Sequence, residues 1–100
     1  MKTVQLRRYE LTEGAMEAFV AWFPSIVGVR GQYGFTVEFA YADPSTNQFV
    51  WAVSHAGDEA AFKAAEAVYN DSPERAACFA GQPKRVDAMH LAMVQPLSLG

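Results

Sequence analysis

The stretch NQFVWAVSH, Asn47 to His55, leaves few folds open to this chain. Read as a β-strand, it places Phe49, Trp51, Val53 and His55 on one face and Val50, Ala52 and Ser54 on the other, because successive side chains point to opposite sides. Both faces are too apolar for water, so the strand needs two different covers. A chain of 100 residues is most simply one domain spanning residues 1–100, burying roughly two-thirds of the surface its unfolded form exposes.

The remaining segments supply one cover. Thr3 to Leu11 alternates as a first strand, with Val4 and Leu6 on one side and Gln5, Arg7 and Tyr9 on the other. From Glu13 the period lengthens. Met16, Phe19, Phe23 and Ile26 form a helical stripe that Gly31 and Gly34 end, and Pro24 within it predicts a kink or a restart, since its ring removes a backbone donor and crowds the Val20 carbonyl. YGFTVEFAYA reads as a second strand and DPSTN as a turn. After the opening stretch, Asp58 is placed to cap a helix whose Phe62, Ala65 and Tyr69 share a face. Ser72, Pro73 and Gly81 delimit a shorter helix, and Val86 to Val94 is the last strand.

The order is βαββαβ, which predicts an α+β, ferredoxin-like fold: a four-stranded antiparallel sheet with its helices on one face. We expect the helices over Val4 and Leu6, over Phe35, Val37, Phe39 and Tyr41, over Val50, Ala52 and Ser54, and over Met89, Leu91 and Met93. The row of Phe49, Trp51, Val53 and His55 is then left open, and an aromatic sheet face of that size marks an interface. A homodimer is the expected cover, and a low charged fraction of 19% beside 51% hydrophobic residues fits surface held in an interface.

Three segments, LRRYELTEG, GFTVEFAYADPSTNQFVWAVSH and YNDSPERAACFAG, give nearly the whole chain a resemblance to NIPSNAP-family domains of the dimeric α+β barrel superfamily. The resemblance implies two sheets facing each other across a homodimer, with a pocket between each sheet and the partner. Trp51 and His55 stand where the family often carries His and Tyr, and Pro24 interrupts the first helix. The wider superfamily includes cofactor-independent monooxygenases, haem-degrading enzymes and isomerases, so the fold by itself does not name a reaction.

The face opposite the expected helices collects Gln5, Arg7, Tyr9, Glu38, Trp51, His55 and His90, a mixed acid, base and aromatic lining of the sort that orients a small molecule. His55 with Glu38 is the expected acid/base pair, since imidazole titrates near working pH and a carboxylate can orient it. Arg7 and Tyr9 would hold an anionic or phenolic group, Trp51 would form a wall, and Gln5 and His90 complete the substrate contacts. For Glu38 to reach that face the hairpin must pair Asp43 with Gln48, leaving Pro44 to Asn47 as the loop.

Several classes are disfavoured. The net charge of −3 and two isolated basic pairs make no nucleic-acid footprint. The lone Cys78 permits no intrachain disulfide and reads as a small buried hydrophobe, and no Gly-rich phosphate loop occurs. MKTVQLRRYEL lacks a signal peptide's apolar core and no run is long enough for a membrane span, which predicts a cytoplasmic protein without a membrane partner. The leading function is a homodimeric protein that binds a planar, phenolic or anionic small molecule without a tightly bound cofactor; were it an enzyme, proton abstraction or oxygenation of that molecule would fit the site. The alternatives are a haem-handling protein with His55 or His90 as axial ligand, a metal site built from His55, His90 and Glu38, and a non-catalytic binding or assembly module whose pocket is filled by Trp51, Phe49 and Tyr9.

Overall fold

The computed structural model describes residues 1–99. Its elements are β1 (Lys2–Leu11), α1 (Met16–Gln32), β2 (Phe35–Asp43), β3 (Gln48–Ala56), α2 (Glu59–Asn70), α3 (Pro73–Phe79) and β4 (Val86–Val94). They form one antiparallel sheet in the order β2-β3-β1-β4. This is the expected βαββαβ arrangement, with the expected short helix following α2. The extents, 38 × 37 × 19 Å, describe a slab one sheet and one helix layer thick.

Local chemistry sets the boundaries. Asp58 accepts the Ala61 amide at 2.9 Å and Ser72 accepts the Arg75 amide at 3.1 Å, so each anticipated cap takes one of the unpaired amides at its helix start. The 43–48 turn is tied by Asp43, whose carboxylate accepts from Ser45 Oγ at 2.6 Å and Thr46 Oγ1 at 2.8 Å. Those two bonds hold the Asp43 carboxyl below the usual carboxylate range. Helix α1 neither ends nor restarts at Pro24. Pro24 and Val20 lie on its exposed side, where water can satisfy the Val20 carbonyl that Pro24 leaves without a donor.

On β1 and β3 the helices cover the opposite face from the one expected, while Phe35 and Val37 of β2 and Met89, Leu91 and Met93 of β4 lie on the helix side as expected. Trp51 is 1% exposed and Val53 0%, and both pack beneath α1 and α2 with Tyr9, Leu11, Phe35 and Phe49. Phe49 meets Phe19 and Phe23 at centroid separations of 4.8 and 4.7 Å, and Phe23 meets Trp51 edge-on at 5.0 Å. Opposed residues share a face, so the register sets Gln5, Arg7 and Tyr9 on the helix side beside Val53, Trp51 and Phe49. The side without helices carries Val4, Leu6, Val50, Ala52 and Ser54.

The hairpin pairs Asp43 with Gln48 as anticipated, yet Glu38 does not join Trp51. A β-bulge intervenes: Val37 opposes Val53 and Phe39 opposes Ala52, so Glu38 is the extra residue. Its carboxylate lies on the open face, accepting from Ser54 Oγ at 2.6 Å and Lys2 Nζ at 3.0 Å. Beyond the bulge Phe39 and Tyr41 also turn to that face, with rings 5.5 Å apart and 39% and 67% exposed.

Candidate functional site

Between the sheet and the helices of a single chain lies a cavity of about 430 Å³. Its floor is Gln5, Arg7, Tyr9 and Trp51, which β1 and β3 bring side by side by pairing Arg7 with Trp51. Helix α1 contributes Phe19, Trp22, Phe23, Ile26 and Arg30 from one stripe, and α2 adds Glu66 and Tyr69. Arg75 and Phe79 come from α3. Met89 and Leu91 of β4, about half exposed, mark where the lining meets solvent.

The polar groups of this lining are organised around Glu66. Arg30 donates to it twice, from Nη1 to Oε2 at 2.7 Å and from Nη2 to Oε1 at 3.1 Å, in the bidentate geometry that suits guanidinium and carboxylate. Arg7 reaches the same carboxylate at 3.8 Å. It also donates from Nε to the Tyr9 hydroxyl at 2.8 Å and from Nη1 to Gln5 Oε1 at 2.6 Å. Both guanidinium groups lie over the Trp51 ring, at 5.3 Å for Arg7 and 5.4 Å for Arg30, and Arg30 also lies 4.3 Å from the Tyr69 centroid.

Arg75 differs from the other two. It lies 4.3 Å from the Phe79 centroid and 5.8 Å from that of Tyr69, and it forms no ion pair among the described residues. Three arginines therefore face one carboxylate in a lining that is otherwise aromatic and aliphatic apart from the amides of Gln5 and Asn70. Three buried donors there have no partner among the described residues: Trp51 Nε1, Arg30 Nε and Arg75 Nε. Burial raises the Tyr69 phenol above its ordinary pKa against the opposing pull of Arg30 and Arg75.

Of the residues expected from the sequence, Gln5, Arg7, Tyr9 and Trp51 meet in this cavity, and Glu38, His55 and His90 do not line it. The expected His55–Glu38 pair does not form, because the bulge carries Glu38 to the other side of the sheet. His55 ends its row beside Phe35, at a centroid separation of 5.1 Å, and donates from Nδ1 to the Ala56 carbonyl at 2.8 Å. His90 is on the open face, where its Nε2 lies 2.7 Å from Glu10 Oε2. The three groups weighed as metal ligands are thus separated, and no cluster of three metal-binding side chains occurs among the described residues. The cavity offers haem no imidazole. It lies within the subunit rather than between the sheet and a partner, and Trp51 and Tyr9 line it without filling it.

Arg30, Glu66, Tyr69 and Arg75 were not anticipated as site residues. Two of them carried a sequence signal. Arg30 continues the stripe of Phe19, Phe23 and Ile26, and Glu66 falls between Phe62 and Tyr69 on the buried side of α2. An Arg and a Glu in the apolar stripes of two packing helices are candidates for a buried pair. Cys78 is partly buried and its thiol pKa is raised by that burial, consistent with a packing role. Among the described residues no helix is long and apolar enough to cross a membrane.

Comparison of the sequence with protein-family models and with curated proteins finds no match. Solved structures share the fold. An uncharacterized NIPSNAP domain protein from Burkholderia xenovorans superposes with a TM-score of 0.82 at 17% identity, over 100% of this chain and 98% of the other. A NIPSNAP family protein of unknown function from Agrobacterium tumefaciens gives 0.85 at 11% identity, over 99% and 91% of the two chains. A candidate antibiotic biosynthesis monooxygenase from Chloroflexus aurantiacus gives 0.62 at 16% identity, over 100% of both. The chain has the ferredoxin-like fold of NIPSNAP-domain proteins.

Proposed function

We propose that this NIPSNAP-like fold is a homodimeric small-molecule-binding protein whose ligand is flat, conjugated and anionic and lies between the sheet and the helices of each subunit. The observation that carries this reading is the lining itself, with seven aromatic rings and three guanidinium groups balanced by one carboxylate. Apolar walls desolvate a planar body, and unbalanced positive charge in such walls favours an anion over a neutral molecule of the same shape. Tyr9, Trp51, Gln5 and Arg7 form the floor on which the ligand rests. Native mass spectrometry after incubation with a small-metabolite extract tests the whole reading. A dimer retaining a conjugated acid supports it, and a ligand-free monomer contradicts it.

The homodimer uses the face without helices. Phe39 and Tyr41, with the partly exposed Leu6 and Val94, present apolar surface there, and a second copy placing the same residues opposite would cover both. Sedimentation at micromolar concentration should find a dimer that Phe39→Asp converts to a monomer. A Phe39→Asp protein that stays dimeric would move the interface elsewhere.

Binding is the leading reading because the one lining carboxylate is held by two arginines and no imidazole is present, leaving no free base of the His55–Glu38 kind. A catalytic reading is favoured by the likeness to a candidate monooxygenase. It would be cofactor-independent: a ring methylene becomes a carbonyl, one atom of dioxygen enters the product, the other leaves as water, and the substrate supplies the electrons. Oxygen uptake on adding a bound phenol or enol, absent with heat-denatured protein, distinguishes it from binding alone.

A further inference from the structure

We infer that Arg75 recognises the anionic end of the ligand, and that the ligand is a flat carboxylic acid with a second acceptor for the Trp51 indole N–H at its far end; this rests on the cavity reading above. The three guanidinium groups are not equivalent. Arg30 is committed to Glu66 through both terminal nitrogens. Arg7 is committed to Tyr9 and Gln5 and lies within reach of the same carboxylate. Arg75 is held only by ring faces, with its Nε buried and unpartnered. Ring faces steady a guanidinium but accept none of its in-plane hydrogen bonds, so the fork of Arg75 remains open to an external acceptor.

The acceptor's chemistry follows from what surrounds it. A carboxylate has two oxygens in one plane and is satisfied by a single guanidinium fork, whereas a phosphate exposes three oxygens and calls for further charged donors, and the other two guanidinium groups of the lining are already committed within the protein. At the other end Trp51 is 1% exposed, its Nε1 has no partner, and an indole N–H can only donate. A hydroxyl or carbonyl oxygen meets that requirement without adding charge. Arg75, on α3, is partly exposed whereas Trp51 on the floor is 1% exposed, so Arg75 is the outer of the two donors. The ligand therefore enters with its oxygen end first and its carboxylate last, its rings against Tyr9, Phe23 and Tyr69.

Isothermal titration of the full chain with 6-hydroxy-2-naphthoate, its neutral amide 6-hydroxy-2-naphthamide, and 2-naphthoate separates these elements. The wild-type protein should bind the hydroxy acid at least about tenfold more tightly than the amide, the size expected of one charge-assisted bidentate bond. Arg75→Gln should abolish that preference while leaving amide affinity within about threefold, and Arg75→Lys, which keeps the charge without the fork, should retain part of it. The hydroxyl should improve binding over 2-naphthoate in the wild type and not in Trp51→Phe. Equal affinity for acid and amide, or equal weakening of both by Arg75→Gln, overturns the assignment of Arg75 while leaving the cavity as a binding site. Absence of binding by all three probes overturns the cavity reading, and this inference with it.

Discussion

Arg30 and Glu66 meet beneath the helices in a two-bond ion pair, with nitrogen to oxygen distances of 2.7 and 3.1 Å and only 4% of the arginine side chain exposed. Such a pair adds little over a well-packed apolar one, but removing one member strands the other charge in low dielectric. Glu66→Gln should therefore lower stability by about 3 kcal/mol or more, read as a shift in the urea midpoint. Arg30→Met combined with Glu66→Leu should recover much of that loss. A Glu66→Gln protein within about 0.5 kcal/mol of wild type would show that the pair is solvated.

Trp51→Ala should destabilise the subunit by about 3–5 kcal/mol, because the ring fills the space among Tyr9, Phe23 and the two guanidinium groups. Its dimer affinity, measured under conditions where the variant remains folded, should be unchanged. A folded variant of normal stability that has become monomeric would return Trp51 to the interface.

The element order was legible because the periods, caps and turn are local properties. Asp58, Ser72 and the 43–48 turn each act within a few residues of themselves. Which sheet face lies under the helices was not legible, because that depends on pairing between distant segments. Gln5 and Arg7 looked too polar to bury until α1 and α2 supply Arg30 and Glu66. Val4 and Leu6 looked like core and lie on the open side. The bulge at Glu38 was also hidden, since inserting one residue leaves the turn register intact while reversing every side chain beyond it. Four of the seven expected site residues still met, since Gln5, Arg7, Tyr9 and Trp51 share one face wherever the helices fall.

Glu38 provides a pH test of the bulge. Its carboxyl is held below its ordinary pKa first by the Ser54 hydroxyl and then by Lys2. A carboxyl with a depressed folded pKa contributes stability above its unfolded pKa and loses it as pH falls through the folded one. The stability difference between wild type and Glu38→Gln should thus be present at neutral pH and disappear in acid below the folded pKa of Glu38. Ser54→Ala should raise that pKa, followed by carbon-detected NMR of the side-chain carboxyl. A Glu38 titration unmoved by Ser54→Ala would contradict the contact.

His55 stands outside the cavity, packed against Phe35. His55→Gln should leave ligand affinity unchanged, since the ring is committed to Phe35 and the Ala56 carbonyl and does not line the cavity. Gly34→Ala should cost about 1 kcal/mol or more: its φ of +86° disfavours a side chain, and the added carbon would lie 3.1 Å from His55 Nε2. Loss of ligand binding in His55→Gln at unchanged stability would restore His55 to the site.

Both tryptophans line the cavity and their indole groups differ in one respect. Trp22 Nε1 donates to the Cys78 carbonyl at 3.2 Å, whereas Trp51 Nε1 has no partner. Nitrogen–proton correlation spectra recorded during titration with 6-hydroxy-2-naphthoate report on both directly. A ligand between the sheet and the helices should shift the Trp51 indole resonance strongly downfield as it gains an acceptor, move that of Trp22 less, and leave the backbone amides of Phe39 and Tyr41 in place. Shifts confined to Phe39, Tyr41 and their neighbours on the open face, with the Trp51 indole unmoved, would contradict a ligand site between the sheet and the helices.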